Sequence, residues 1–215
     1  MESGAMIKAV CFDFGGVLVR IARSWEEACR RAGLEPEPLA GPESDMIRAV
    51  GPAAELQTGR IEFEEFIERS HQEGPNTPDR TQLRAVHAGW LIEEFPGMDD
   101  IIDRLNALGI HTASLSNTDA EHWKTLRMMN SVSRLRSQIL SFETGCRKPD
   151  PAIYHAAEDL MDIPGSSILL LDDLQENVEG ALRCGWQASL IDPHEPVGEQ
   201  AREALLTHGV PLDTS

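Results

Sequence analysis

The chain has 215 residues, enough for one good-sized domain or for a core domain carrying a smaller insertion. Hydrophobic residues make up 41% and charged residues 26%, an ordinary globular balance, and no apolar run is long enough to span a bilayer. Acidic residues outnumber basic ones 36 to 19, and a formal net charge of -17 argues against nucleic acid and anionic membrane as partners.

Residues 7–14, IKAVCFDF, are short, apolar and rich in β-formers, and Gly15-Gly16 breaks the run. This pattern predicts a buried strand. Lys8 and Asp13 interrupt the surrounding apolar stretch, so it lacks a signal-peptide layout. The four cysteines, Cys11, Cys29, Cys146 and Cys184, show no CxxC or metal spacing. The expectation is a cytoplasmic protein with reduced thiols, none of them catalytic.

Residues 20–92 carry no strand-like run. SWEEACRRAGL, ESDMIRAVG, RIEFEEFIERSHQEG and DRTQLRAVHAGWLIEEF all space their apolar residues helically. Pro- and Gly-rich joints at 33–42 and 73–79 separate them. This segment reads as an all-helical insertion of about seventy residues.

From residue 97 onward strand and helix alternate. GMDDIIDRLNALG is an amphipathic helix stopped by Gly109. Strands follow at 110–116, 166–172 and 187–192, with a weaker one at 137–143. DAEHWKTLRMM, DPAIYHAAEDLM and ENVEGALRCG are the intervening helices. Such alternation predicts an α/β fold, a doubly wound parallel sheet with helices on both faces. The predicted division is a Rossmann-like core at 1–19 and 93–215 with a helical cap at 20–92.

In open α/β sheets, ligands bind at the carboxyl ends of the strands. Asp13 ends the first predicted strand, and Ser116 and Asn117 end the second. Lys148, one of only three lysines, lies in the loop TGCRKPDP, and Asp172 and Asp173 end ILLL. Each has a plainer reading alone: the aspartates as helix caps, Asn117 as a turn residue, Lys148 as a solvated cation. Together they make a site. Three carboxylates at neighbouring strand ends repel one another unless a cation sits between them. Hard oxygen donors without His or Cys select Mg²⁺. Lys148, the Ser116 hydroxyl and backbone N–H groups around Gly15 and Gly16 suit a phosphate. The constellation predicts a small dianionic, phosphorylated substrate beside Mg²⁺.

CFDFGGVL, LSN, RKPDPAIY and LLLDDLQENVEGA, in that order, resemble the motifs of the haloacid dehalogenase superfamily. The resemblance spans the chain, and the insertion looks like the helical cap of one branch. LQTGRIEFEEF and HAGW are similar to phosphatases acting on glucose 1-phosphate and to the amino-terminal phosphatase domain of soluble epoxide hydrolases. The resemblance implies that Asp13 is a nucleophile forming an aspartyl-phosphate and that Lys148 steadies it. It implies that Ser116 and Asn117 bind the phosphoryl group, and that Asp173, Asp13, the Gly15 carbonyl and accessory Asp172 hold Mg²⁺. Gly16 is the usual turn glycine.

One position departs from the pattern. Most phosphatases of this superfamily place a second aspartate two residues after the nucleophile, as metal-binding carbonyl and as general acid. Here that residue is Gly15. Glycine keeps the carbonyl and loses the acid, and a general acid is worth about 10²- to 10⁴-fold in rate. Val17 replaces a common threonine. Three functions follow: a Mg²⁺-dependent phosphatase with an undemanding leaving group, a 2-haloacid dehalogenase, which also lacks the second aspartate, or a non-catalytic binding module. Asp172-Asp173 favours the first. In the cap, Arg60, Glu55, His87 and Trp90 are conceivable substrate contacts, although His87 and Trp90 also suit cap packing.

Overall fold

A computed structural model describes residues 6–35, 51–71 and 78–212. The predicted helix ESDMIRAVG falls almost wholly outside them. The core sheet contains β1 (Ala9–Phe12), β4 (His111–Ser116), β5 (Ser137–Leu140), β6 (Ile168–Asp172) and β7 (Gln187–Leu190). Its order is β5-β4-β1-β6-β7 and every pairing is parallel.

Alternation along each strand builds two layers. Val10 and Phe12 of β1 join Leu169 and Leu171 of β6 in one apolar cluster. Ala9, Cys11, Ile168 and Leu170 face the opposite cluster. A strand buried on both faces has no polar side, which is why β1 and β6 are continuous apolar runs. The first layer includes α5 (Met98–Ala107) and α11 (Val197–Thr207); the second includes α9 (Pro151–Met161) and α10 (Gln175–Arg183). α5 packs Met98, Ile101, Ile102 and Leu105 inward at helical spacing. Three short helices, α6 (Ala120–Leu126), α7 (Asn130–Ser133) and α8 (Ser141–Thr144), fill the connections after β4 and β5. All four cysteines are free thiols, and burial pushes Cys11 up to about 12.

The described part of residues 20–92 holds α1 (Trp25–Arg31), α2 (Pro52–Gln57), α3 (Phe63–His71) and α4 (Arg80–Ala88). Asp79 starts α4 with a capping box closed by Gln82. One feature differs from the sequence expectation. β2 (Val19–Ile21) pairs antiparallel with β3 (Leu91–Glu94), so the segment is bounded by a two-stranded ribbon. Runs of three and four residues are too short to show a period of two, and the pairing partner is some seventy positions away. No helix among the described residues is long and apolar enough to cross a membrane.

Candidate active site

Parallel register brings the strand ends together. Phe12 lies opposite Ser114 of β4 and Leu171 of β6, so the next residue, Asp13, stands level with Asp172. The Asp13 N–H donates to the Leu171 carbonyl at 3.0 Å. Lys148 arrives from the loop before α9. Its Nζ donates to Asp13 Oδ1 at 2.9 Å and to Asp172 Oδ2 at 2.5 Å, and the residue is only 2% exposed.

Such a lysine is no solvated surface cation. Burial works against its charge, but Asp13 and Asp172 outweigh burial and hold Lys148 above the usual lysine range. Burial lifts Asp172 to about 6, with Lys148 pulling it down and Asp13 pushing it up. The other Asp172 oxygen, Oδ1, accepts from the Leu174 N–H and from Asn177 Nδ2, both at 2.9 Å.

Asn117 holds the lysine loop. Its Nδ2 donates to the Lys148 carbonyl at 2.9 Å and its Oδ1 accepts from the Lys148 N–H at 2.8 Å. Both ends of the amide are therefore committed to backbone, and Asn117 positions Lys148. Ser116 is 3% exposed and lines the same cavity as Asp13.

Asp173 meets a residue that motif reading passed over. Arg23 Nη1 donates to Asp173 Oδ2 at 2.6 Å. Burial and the Asp13 charge raise Asp173, and Arg23 opposes them. The second guanidinium nitrogen, Arg23 Nη2, is buried without a partner among the described residues. Gly16 makes this approach possible. Its φ is 83°, and a Cβ there would overlap Asp173 and Arg23. Gly15 lines the cavity without a left-handed backbone; a Cβ there would meet only the tip of Ile21, 2.8 Å away.

The donor set fits Mg²⁺. Asp13, Asp172 and Asp173 each offer a carboxylate oxygen, all within 4.8 Å of one another, with no soft ligand among them. A second cluster, His87, Asp119 and His122, is equally tight but does not fit a metal. Its two rings stack 3.8 Å apart at 8°. An imidazole binds a metal in its own ring plane, and one ion cannot lie in two parallel planes.

The cluster is tied together by hydrogen bonds instead. Both ring nitrogens of His122 face oxygens that only accept: Nδ1 lies 3.0 Å from Asp119 Oδ2, and Nε2 lies 2.8 Å from the His87 carbonyl. His87 Nε2 donates to the same Asp119 oxygen at 3.2 Å. Burial penalises the Asp119 charge, but the two histidines outweigh burial and hold Asp119 far below the usual carboxylate range. Asp119 Oδ1 also caps α6 by accepting from the Glu121 and His122 N–H groups. The cluster joins α4 to the start of α6.

Asp13, Gly15, Ser116, Asn117, Lys148 and Asp173 line one cavity of about 730 Å³. His87 and Trp90 line it too. Glu55 instead pairs with Arg69 at 3.0 Å, and Arg60 is exposed outside the lining. Asp119 with His122 three residues on was readable as a capped helix start. Nothing in the sequence pointed Arg23 at Asp173.

The model of the haloacid dehalogenase-like hydrolases matches residues 7–185, and the chain belongs to that family. It is 26% identical over 213 residues to a phosphatase of Mycobacterium tuberculosis, covering 96% of this chain and 97% of the relative. It is also 26% identical over 228 residues to acyl-CoA dehydrogenase family member 10 of Mus musculus, covering 98% of this chain. There it spans only 20% of the relative's length. Among solved structures, a predicted HAD-like family hydrolase from Porphyromonas gingivalis superposes with a TM-score of 0.76 at 26% identity, covering 94% of this chain and 98% of that one. A HAD family enzyme from Bacteroides thetaiotaomicron, in complex with magnesium and inorganic phosphate, gives a TM-score of 0.73 at 21% identity, covering 88% and 96%. At that identity the likeness shows the fold.

Proposed function

We propose that this hydrolase is a Mg²⁺-dependent phosphatase of a small phosphorylated metabolite, working through an aspartyl-phosphate on Asp13. The observation that carries the reading is the buried Lys148, bonded at once to Asp13 and Asp172 beside Asp173. The phosphatase name of the Mycobacterium tuberculosis relative supports the same reaction.

Asp13, Asp172, Asp173 and the Gly15 carbonyl would hold the metal. When bound, Mg²⁺ neutralises charge on the phosphoryl oxygens. Lys148 donates to Asp13 Oδ1 and holds the carboxylate aimed. An Asp13 oxygen attacks phosphorus, and the bond from phosphorus to the leaving oxygen breaks. Water then attacks the aspartyl-phosphate and the Asp13–phosphorus bond breaks; phosphate keeps one of the water's two protons, and the other passes through solvent to the departed leaving-group anion. Ser116 donates to the phosphoryl group, and Asn117 fixes the loop that carries Lys148. Gly15 supplies no acid, so the leaving group departs as its anion.

Gly15 also keeps the 2-haloacid dehalogenase reading in play, since halide needs no proton. The paired Asp172-Asp173 counts against it, because three carboxylates invite a cation. Hydrolysis of 4-nitrophenyl phosphate, with Mg²⁺ and with a chelator, decides the matter. The proposal expects turnover that chelation abolishes. Release of halide from 2-chloropropionate, indifferent to chelator, would establish the dehalogenase instead. Inertness toward both would leave the binding module.

A further inference from the structure

We propose that the cavity selects an aryl phosphate, a phosphomonoester whose leaving group is a phenol with a bulky apolar body. The inference rests on the phosphatase reading and adds the substrate class. It stands on the chemistry of the cavity walls.

The floor, at the strand ends, is polar. Much of the described wall is apolar: Trp25, Leu56, Phe66, Leu83, Trp90 and Leu126 line the cavity. A volume of about 730 Å³ accommodates far more than a phosphoryl group. Several polar atoms of the described wall are already paired. Gln57 Oε1 accepts from Arg147 Nη1 at 2.8 Å, and His87 and His122 are tied to Asp119. Gln175, Glu176 and Glu179 line the cavity from exposed positions, at its mouth.

A sugar phosphate would bury several hydroxyls against these walls. Each hydroxyl left unpaired costs about 5- to 150-fold in affinity. An aromatic body loses nothing there. One donor does await an acceptor: Trp25 Nε1 is buried with no partner among the described residues, and Trp25 lines the cavity. A single ether or carbonyl oxygen on the apolar body would satisfy it.

Gly15 independently narrows the leaving group. With no acid at that position, the departing oxygen must carry its own negative charge. Phenols do so readily and aliphatic alcohols do not. Apolar walls and a missing acid meet in one chemical class.

The test is a series of 4-alkylphenyl phosphates from methyl to hexyl. The para chain barely alters phenol acidity, so the chemistry stays constant while apolar area grows. The ratio kcat/KM should climb about fourfold per added methylene until the cavity is full. Hexylphenyl phosphate should exceed glucose 1-phosphate and 4-hexylbenzyl phosphate by more than about 100-fold. Leu56→Gln should collapse the hexyl-to-methyl ratio. A flat series, or glucose 1-phosphate matching hexylphenyl phosphate, overturns the substrate class while leaving the phosphatase intact. If no phosphate turns over, the phosphatase reading falls and takes the substrate with it. Tryptophan-emission titration with the 4-alkylphenols then reports the cavity alone, and equal affinities for methyl and hexyl would refute the apolar site as well.

Discussion

Replacing Lys148 by methionine keeps most of the side-chain volume and deletes the charge. Lys148 is 2% exposed, so solvent cannot screen what remains. Two carboxylates, formerly 2.9 and 2.5 Å from Nζ, are left facing each other. Removing one partner of a buried ion pair costs about 3–5 kcal/mol. For a chain of this size that lowers the unfolding midpoint by roughly 6–20 °C. The loss should depend on pH in a defined direction. Asp172 is already raised to about 6 by burial, and losing Lys148 raises it further. A carboxylate whose folded pKa is raised binds protons preferentially in the folded state, so stability falls as pH rises through that pKa. Lys148→Met should therefore be most damaging above neutrality and milder in acid. Adding Asp172→Asn removes one of the opposed charges and should recover at least half of the stability. It should recover none of the turnover, which falls about 10²- to 10³-fold once the transition-state cation is gone. Thermal unfolding of the four proteins of the cycle, with initial rates on 4-nitrophenyl phosphate, separates the two roles. A Lys148→Met protein within about 0.5 kcal/mol of the parent, at full rate, would refute the electrostatic account of the site.

Three further outcomes are expected. Asp173→Asn should weaken Mg²⁺ dependence at least about tenfold while moving the midpoint only a few degrees, because Arg23 is partly solvated and loses about 1 kcal/mol of hydrogen bonding; an unchanged Mg²⁺ titration excludes it as a ligand. Gly15→Asp combined with Ile21→Val, which removes the methyl a new Cβ would strike, should accelerate alkyl phosphates more than aryl phosphates. In the natural chain, log rate plotted against leaving-group acidity should slope steeply, and a flat line would mean that a proton comes from elsewhere. Burial first, then the neighbouring His122, holds His87 below the usual histidine range. The unfolded chain takes up a proton near ~pH 6.5 that the folded chain refuses, so stability is whole above that pH and declines below it. His87→Gln should flatten that acid decline in thermal unfolding, and an unaltered slope would show that His87 does not titrate on unfolding.

Local chemistry made much of this protein legible. A parallel strand covered on both faces must be apolar throughout, so IKAVCFDF and SSILLLD announce themselves without an alignment. Polar residues at the ends of such runs mark where the sheet stops being covered. Asp13, Ser116 and Asp172 stood out for that reason. Helix spacing marked α1, α3 and α4. The ribbon of Val19–Ile21 with Leu91–Glu94 was hidden, because its strands are too short to carry a period.

Legible along the chain was the inventory of the parallel sheet: its long apolar runs, the carboxylates that end them, and a position 15 that keeps a carbonyl and lacks an acid. Which of these residues meet depends on the fold. Strand order β5-β4-β1-β6-β7 sets Asp13 beside Asp172, 159 positions later. It buries Lys148 between them, a choice between surface cation and ion-pair centre that composition cannot make. Arg23 finds Asp173 across 150 residues, and His87 of α4 finds Asp119 across 32. These contacts have no local signal, because charge pairing acts through space and leaves no periodicity along the chain. The apolar cavity is likewise a product of packing, since its walls come from helices and loops that adjoin only after the chain has folded.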